Sequence, residues 1–133
     1  MNVLLINPYT VKTIAYKEWI PAPSLYYLAE TLISNGINVE ILDLNVFHLS
    51  DVKNSKEMAK KYIIDKINKF KPSLIGIGCL FSGHMEQVIY YAKIIKDSFK
   101  DIKIIIGGIH PTIFYKDILL NVKEIDYIAL GEG

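Results

Sequence analysis

The sequence predicts an α/β fold: a five-stranded parallel sheet in the order 2-1-3-4-5, with helices on both faces. Three observations carry that prediction. Five short runs rich in Ile, Leu and Val recur along the chain, each of strand length. The four intervals between them hold amphipathic helical patterns, so strand and helix alternate throughout. Such alternation implies right-handed crossovers and a parallel sheet. Finally, 133 residues suit one domain, and five strands fall short of the six in a full dinucleotide-binding fold. The expectation is a flavodoxin-like (Rossmann-like) three-layer sandwich.

The first strand is read at 3-VLLI-6. A helix follows over 24-SLYYLAETLISNG-36, where Leu25, Leu28, Ala29, Leu32 and Ile33 share one face. Ser24 is the expected N-cap and Gly36 the expected stop. The second strand is 37-INVEILDL-44. In the next helix, 55–70, Met58, Ala59, Tyr62, Ile63, Ile67 and Phe70 repeat the inward pattern, and Asn54 with Glu57 is spaced like a capping box. The third strand is 74-LIGIGCL-80, followed by a helix over 84–99 with a stripe of Val88, Ala92, Ile95 and Phe99. The fourth strand is 102-IKIIIG-107. The last helix is read over 111–122, with Pro111 at its first position and Ile118 and Val122 inward. The fifth strand is 125-IDYIAL-130. The first, third and fourth runs are almost continuously apolar, the pattern of strands covered on both faces.

The totals exclude several functions. Net charge is +1 and the lysines are interleaved with acids, so no basic footprint for nucleic acid is present. A single cysteine, Cys79, rules out an internal disulfide and a cysteine-only metal cluster, and it fits a reducing compartment. No apolar run reaches the ~20 residues of a membrane span, and the N-terminus lacks the basic region of a signal peptide. The expected location is cytoplasmic, with no membrane partner.

A ligand of such a sheet binds outside the carboxyl ends of the strands, near the switch point between the first and third. The loops there are 7-NPYTVKTIAYKEWIPAP-23, 81-FSGH-84, 107-GGIHPT-112 and 131-GEG-133. They match neither a Gly-x-Gly-x-x-Gly nicotinamide turn nor a P-loop. They also lack the clustered acids of a phospho-receiver, and 8-PYTVKT-13 is a poor flavin phosphate loop. Cys79 sits in an apolar strand and reads as a buried, inert thiol. His48, His84 and His110 lack metal-ligand spacing, so no metal site is expected.

With its loops laid out, the chain resembles the cobalamin (vitamin B12)-binding domain at the N-terminus of many radical-SAM enzymes. The matching pieces are 3-VLLINPY-9, 23-PSLYYLAETLISNGINVEILDLN-45, 75-IGIGCLFSG-83, 105-IIGGIHPT-112 and 126-DYIALGEG-133. The resemblance implies a corrinoid lying across the carboxyl edge, with its nucleotide tail between the switch-point loops. The implied cofactor-binding residues are Asn7, Pro8, Tyr9, Gly78, Leu80, Ser82, Gly83, Gly107, Gly108, His110, Pro111, Thr112, Gly131, Glu132 and Gly133. Gly107 and Gly108 are read as clearance for a flat ring.

The sequence also departs from relatives. The best-known cobalamin domains place a cobalt-ligating histidine after the first strand; here the chain reads Asn7-Pro8-Tyr9-Thr10. Base-off cobalamin without a histidine ligand is therefore expected, and His110 is read as a loop residue rather than the cobalt ligand. Gly78 stands where relatives often have serine. The Cys-x-x-x-Cys-x-x-Cys motif of a [4Fe-4S] cluster is missing, and the chain stops at Gly131-Glu132-Gly133. The expectation is that residues 1–133 are one cobalamin-binding domain, cut from a longer protein whose radical-SAM domain follows. That parent would use the cluster and S-adenosylmethionine, most plainly as a methyltransferase; this chain alone would turn nothing over. Two alternatives stay open: a docking module of the same fold that has lost cobalamin, and a flavodoxin-like flavin or nucleotide binder.

Overall fold

A computed structural model of the chain describes residues 1–10, 22–47 and 53–131. The strands are β1 (Asn2–Asn7), β2 (Asn38–Asp43), β3 (Leu74–Gly78), β4 (Lys103–Gly107) and β5 (Tyr127–Ala129). Between them lie α1 (Pro23–Ser34), α2 (Ser55–Phe70), α3 (Met85–Ser98) and α4 (Ile109–Asn121). The sheet is parallel throughout, in the order β2-β1-β3-β4-β5. Both the fold class and the strand order are those the alternation predicts.

Side chains alternate across a strand, so the register assigns each residue to a face. Leu4, Ile6, Leu42, Ile75, Ile77, Ile104 and Ile106 form one face, packed against Ala59, Ile63 and Ile67 of α2 and Val88, Ala92 and Ile95 of α3. Ile118 of α4 closes that core at the β5 end. The opposite face is smaller: Val3 and Leu5 of β1 pack against Leu25 and Ala29 of α1. Among the described residues, α1 is the only helix on this second face; it packs over β1 and β2, with Leu74 of β3 against the same cluster. Thus β4 alternates between buried and more exposed positions rather than being covered on both sides.

Several helix ends differ from the sequence expectation. In α1, Pro23 takes the first helical position and Ala22 the N-cap, so Ser24 lies inside the helix. Ile33 is 56% exposed, because α1 packs only through its Leu25–Ala29 side. Asn54 is the N-cap of α2, but its side chain makes no capping bond. In α4 the helix begins at Ile109, two residues before Pro111, which is buried in the first turn. A proline is tolerated there because first-turn N–H groups have no intrahelical partner. The inward stripes of α2 and α3 follow the predicted positions.

Candidate functional site

The carboxyl edge of the sheet is built from five strand ends. On the α1 face their last residues form one row: Asp43 beside Asn7, and Gly78 beside Gly107 beside Ala129. The parallel register of β1 with β3, paired to Ile6 and Ile77, sets Asn7 next to Gly78. The row has two halves of different chemistry. Its β2–β1 half is polar; its β3–β5 half carries two glycines and an alanine.

The polar half is a hydrogen-bonded network. Asn7 Nδ2 donates to Asp43 Oδ1 at 3.0 Å, and the Asn45 backbone N–H reaches the same oxygen at 3.0 Å. Asn45 Nδ2 donates to the Pro8 carbonyl at 3.0 Å, and the Thr10 N–H donates to Asn45 Oδ1 at 2.7 Å. Asn7 and Pro8 are therefore fixed through Asp43 and Asn45, two residues the sequence reading did not single out. Their signal was a polar Asp-Leu-Asn ending an apolar strand at the functional edge. Tyr9 points elsewhere: it is buried in the α2–α3 core, and its hydroxyl meets Ser55 Oγ at 3.1 Å. Its side chain is structural.

The bare half is a shelf. A Cβ built on Gly78 would approach nothing closer than the Ile6 carbonyl at 3.9 Å, and one on Gly107 would meet Ala129 Cβ at 3.5 Å. One pleat back on the same face, Gly76 lies between Leu5 and Ile105. At the carboxyl ends of β3 and β4 the α1 face thus offers backbone where side chains would stand, while Ile105 and Tyr127 occupy the row behind, beside Gly76. This is a cradle that Cβ atoms would fill, and it suits a bulky flat group needing close backbone approach.

Gly108 has a different task. Its φ is 120°, and a Cβ there would lie 2.4 Å from the Cys79 carbonyl oxygen. The glycine lets β4 turn into α4 against the backbone of Cys79, whose N–H donates to the Gly107 carbonyl at 2.8 Å. A Cβ thus has room at Gly78 and Gly107 but not at Gly108. Cys79 is buried, and burial pushes its thiol up to about 11, which suits an inert thiol.

Two bonds tie the remaining loops to the start of α4. Ser82 Oγ and His110 Nδ1 lie 2.9 Å apart, joining the loop after β3 to the first turn of α4. Thr112 Oγ1 donates to the Gly108 carbonyl at 2.8 Å and accepts the Gly131 N–H at 3.1 Å. The structure thus gathers Ser82, His110, Thr112 and Gly131 beside the shelf. Gly83 is exposed with open space around its Cα, and Leu80 is exposed beside it. Pro111 is buried. His84 packs edge-on to Phe81, and burial lowers its imidazole below the ordinary histidine range. Glu132, Gly133 and His48 lie outside the described residues. No group of three or more potential metal ligands occurs among the described residues. No described helix is long and apolar enough to cross a membrane.

A family model described as the B12 binding domain matches residues 10–133. The chain is 26% identical over 136 residues to the anaerobic magnesium-protoporphyrin IX monomethyl ester cyclase of Synechocystis sp., an alignment covering 100% of this chain and 26% of that protein. The cyclase of the same name from Rubrivivax gelatinosus is 29% identical over 139 residues, covering 100% of this chain and 22% of that protein. The cytidylyl-2-hydroxyethylphosphonate methyltransferase of Streptomyces wedmorensis is 26% identical over 144 residues, covering 99% of this chain and 26% of its own length. The chain therefore spans about a quarter of the curated relatives it matches. Among solved structures, a cobalamin-binding protein from Desulfitobacterium hafniense superposes with a TM-score of 0.67 at 16% identity, over 98% of this chain and 53% of that one. At that identity the likeness is one of fold.

Proposed function

The chain belongs to the B12-binding domain family, and on that premise we propose that it holds cobalamin across the carboxyl edge of its sheet. The observation that carries this reading is the bare half-row of Gly78, Gly107 and Ala129, which leaves backbone open to a large flat ligand. Gly78 and Gly107 would face the cofactor directly. Ser82 and His110, already tied together, would present polar groups at its rim, with the exposed Leu80 and Gly83 on the same side. The Asn7–Asp43–Asn45 network would close the other end. Thr112 would act by holding the Gly131 loop in place, since its hydroxyl is engaged at both Gly108 and Gly131.

When bound, cobalamin supplies a cobalt-centred carrier for methyl transfer or related chemistry, and the protein's part is to position and tune it. The segment Asn7–Thr10 carries no histidine, so a histidine-ligated form would find no donor there; on this reading the cofactor would be held base-off without a histidine ligand. The 3₁₀ turn at Ser82–His84 and the first turn of α4 fix two of the loops that would border the site. In the longer protein we propose, this domain serves a radical-SAM partner domain holding a [4Fe-4S] cluster and S-adenosylmethionine. The methyltransferase among the relatives supports methyl transfer as the reaction, and the two cyclases keep a ring-closing reaction as the second reading.

The test is reconstitution with hydroxocobalamin, followed by desalting and a visible spectrum. The wild-type chain is expected to stay coloured. Gly78→Leu should keep its circular dichroism and melting temperature yet emerge colourless, because the added side chain stands on the shelf. A colourless wild-type chain would count against binding and favour a docking module that has lost the ligand. Retention of flavin instead would favour the flavodoxin-type alternative.

A further inference from the structure

The turn between α1 and β2 holds a chemically labile pair. Of the chain's eight asparagines, Asn35 alone precedes a glycine; four others precede valine and one precedes proline. An asparagine loses its amide when the following backbone nitrogen attacks the side-chain carbonyl carbon, and a side chain on that following residue hinders the attack. Glycine has none. Asn35 and Gly36 are both exposed, and open space lies where a Cβ on Gly36 would stand.

The fold restrains this reaction. Asn35 is the C-cap of α1, and Gly36 continues the turn with a φ of 78°. The nucleophile is engaged, because the Gly36 N–H donates to the Ile33 carbonyl at 2.9 Å. So is the group it would attack: Asn35 Nδ2 donates to the Thr31 carbonyl at 2.8 Å. The Ile37 N–H closes the turn on the Leu32 carbonyl at 3.1 Å, which completes a Schellman motif. Ile37 and Leu32 both pack against the α1-face cluster. Both reacting groups are therefore released only when the last turn of α1 opens.

We propose that Asn35 is the chain's principal site of spontaneous deamidation, and that opening of the turn after α1 sets its rate. The Gly36 nitrogen forms a bond to Asn35 Cγ, the Cγ–Nδ2 bond breaks, and ammonia leaves with the proton from the Gly36 N–H. Water then opens the cyclic imide at either carbonyl, giving aspartate or its isomer linked through the side chain. The product no longer suits its place. A carboxylate cannot donate to the Thr31 carbonyl, and it adds negative charge at the negative end of the helix dipole. No basic residue stands in the last turn of α1 to offset that charge. The isomer also inserts a further carbon into the backbone of a tight turn. The proposal is independent of the cofactor reading, because this turn leads into the start of β2, at the edge of the sheet opposite the carboxyl ends.

Ageing the 133-residue chain at mildly alkaline pH, with peptide mapping by mass spectrometry, tests it. A parallel sample in urea reports the unfolded chain. Conversion of amide to acid is expected first at Asn35 in both. The native chain should convert about tenfold to hundredfold more slowly than the unfolded one, the range that opening of a helix end sets. Ile37→Ala removes an anchor of the turn and should speed the native reaction about threefold to tenfold while leaving the rate in urea unchanged. Gly36→Ala should slow the reaction in urea, where the turn plays no part. The purified product should melt about 1–5 °C below the parent chain. Equal rates in native and unfolded chains would overturn the proposal. So would earlier conversion of another asparagine in the native chain, an Asn35 amide that stays intact far beyond the expected range, or no acceleration in Ile37→Ala.

Discussion

Glycines at the carboxyl edge look alike in sequence but do different physical work. Gly108 combines a φ of 120° with a carbonyl 2.4 Å from where its Cβ would be. Gly108→Ala is therefore expected to cost about 2–4 kcal/mol, read from urea unfolding, because both the backbone conformation and the contact resist it. Gly78→Ala should cost no more than about 1 kcal/mol, since its nearest neighbour would be an oxygen at 3.9 Å. Equal losses at the two sites would show that the two glycines do the same work. The glycine pair after the fourth strand was legible as a special feature of the sequence. Which of the two is open and which is packed was not, because that depends on the approach of Cys79 from the end of a neighbouring strand. Asp43 shows the same limit: its role arises from the register that brings it to Asn7, 36 residues away in the chain.

At the scale of elements, the short edge strand β5 is held by a carboxylate. Asp126 Oδ2 accepts the Ile104 N–H at 2.8 Å and Lys96 Nζ at 2.7 Å, and Oδ1 accepts Lys103 Nζ at 3.1 Å. Burial pushes its carboxyl up, but bonds from Lys96, the Ile104 N–H and Lys103 outweigh that and hold it below the usual carboxylate range. A depressed folded value gives stability that is present above the unfolded value, about 3.9, and lost as pH falls through the folded one. Asp126→Asn should therefore cost roughly 1–3 kcal/mol at pH 7. The gap to wild type should narrow steadily in thermal melts below about pH 4. A gap that does not change with pH would show that charge is not what anchors β5. The run 125–130 was legible as a strand, but its ladder is only Tyr127–Ala129, because the ends are spent on the Asp126 anchor and the Gly131 turn.

Over the whole molecule the sheet is asymmetric. The α2–α4 face is a continuous core, while the cluster on the α1 face reaches from β2 and β1 only as far as Leu74 of β3 among the described residues. Neighbouring residues of β4 should feel this difference. Ile104, fully buried toward α3, is expected to cost about 2–4 kcal/mol when cut to alanine, and Ile105, on the open side, about half as much. Similar losses would mean that both faces are equally packed. The sequence by itself determined the alternation of strand and helix and the strand order. These follow from local periodicity and from the handedness of crossovers, which any segment of the chain expresses without its distant neighbours. Only the tertiary structure decided that Gly78 and Gly107 lie open while Gly108 is packed, that Tyr9 belongs to the core, and that α4 turns an apolar face outward. Each of these depends on which residues from other strands and helices arrive beside it, and that is fixed by register and packing rather than by the local pattern.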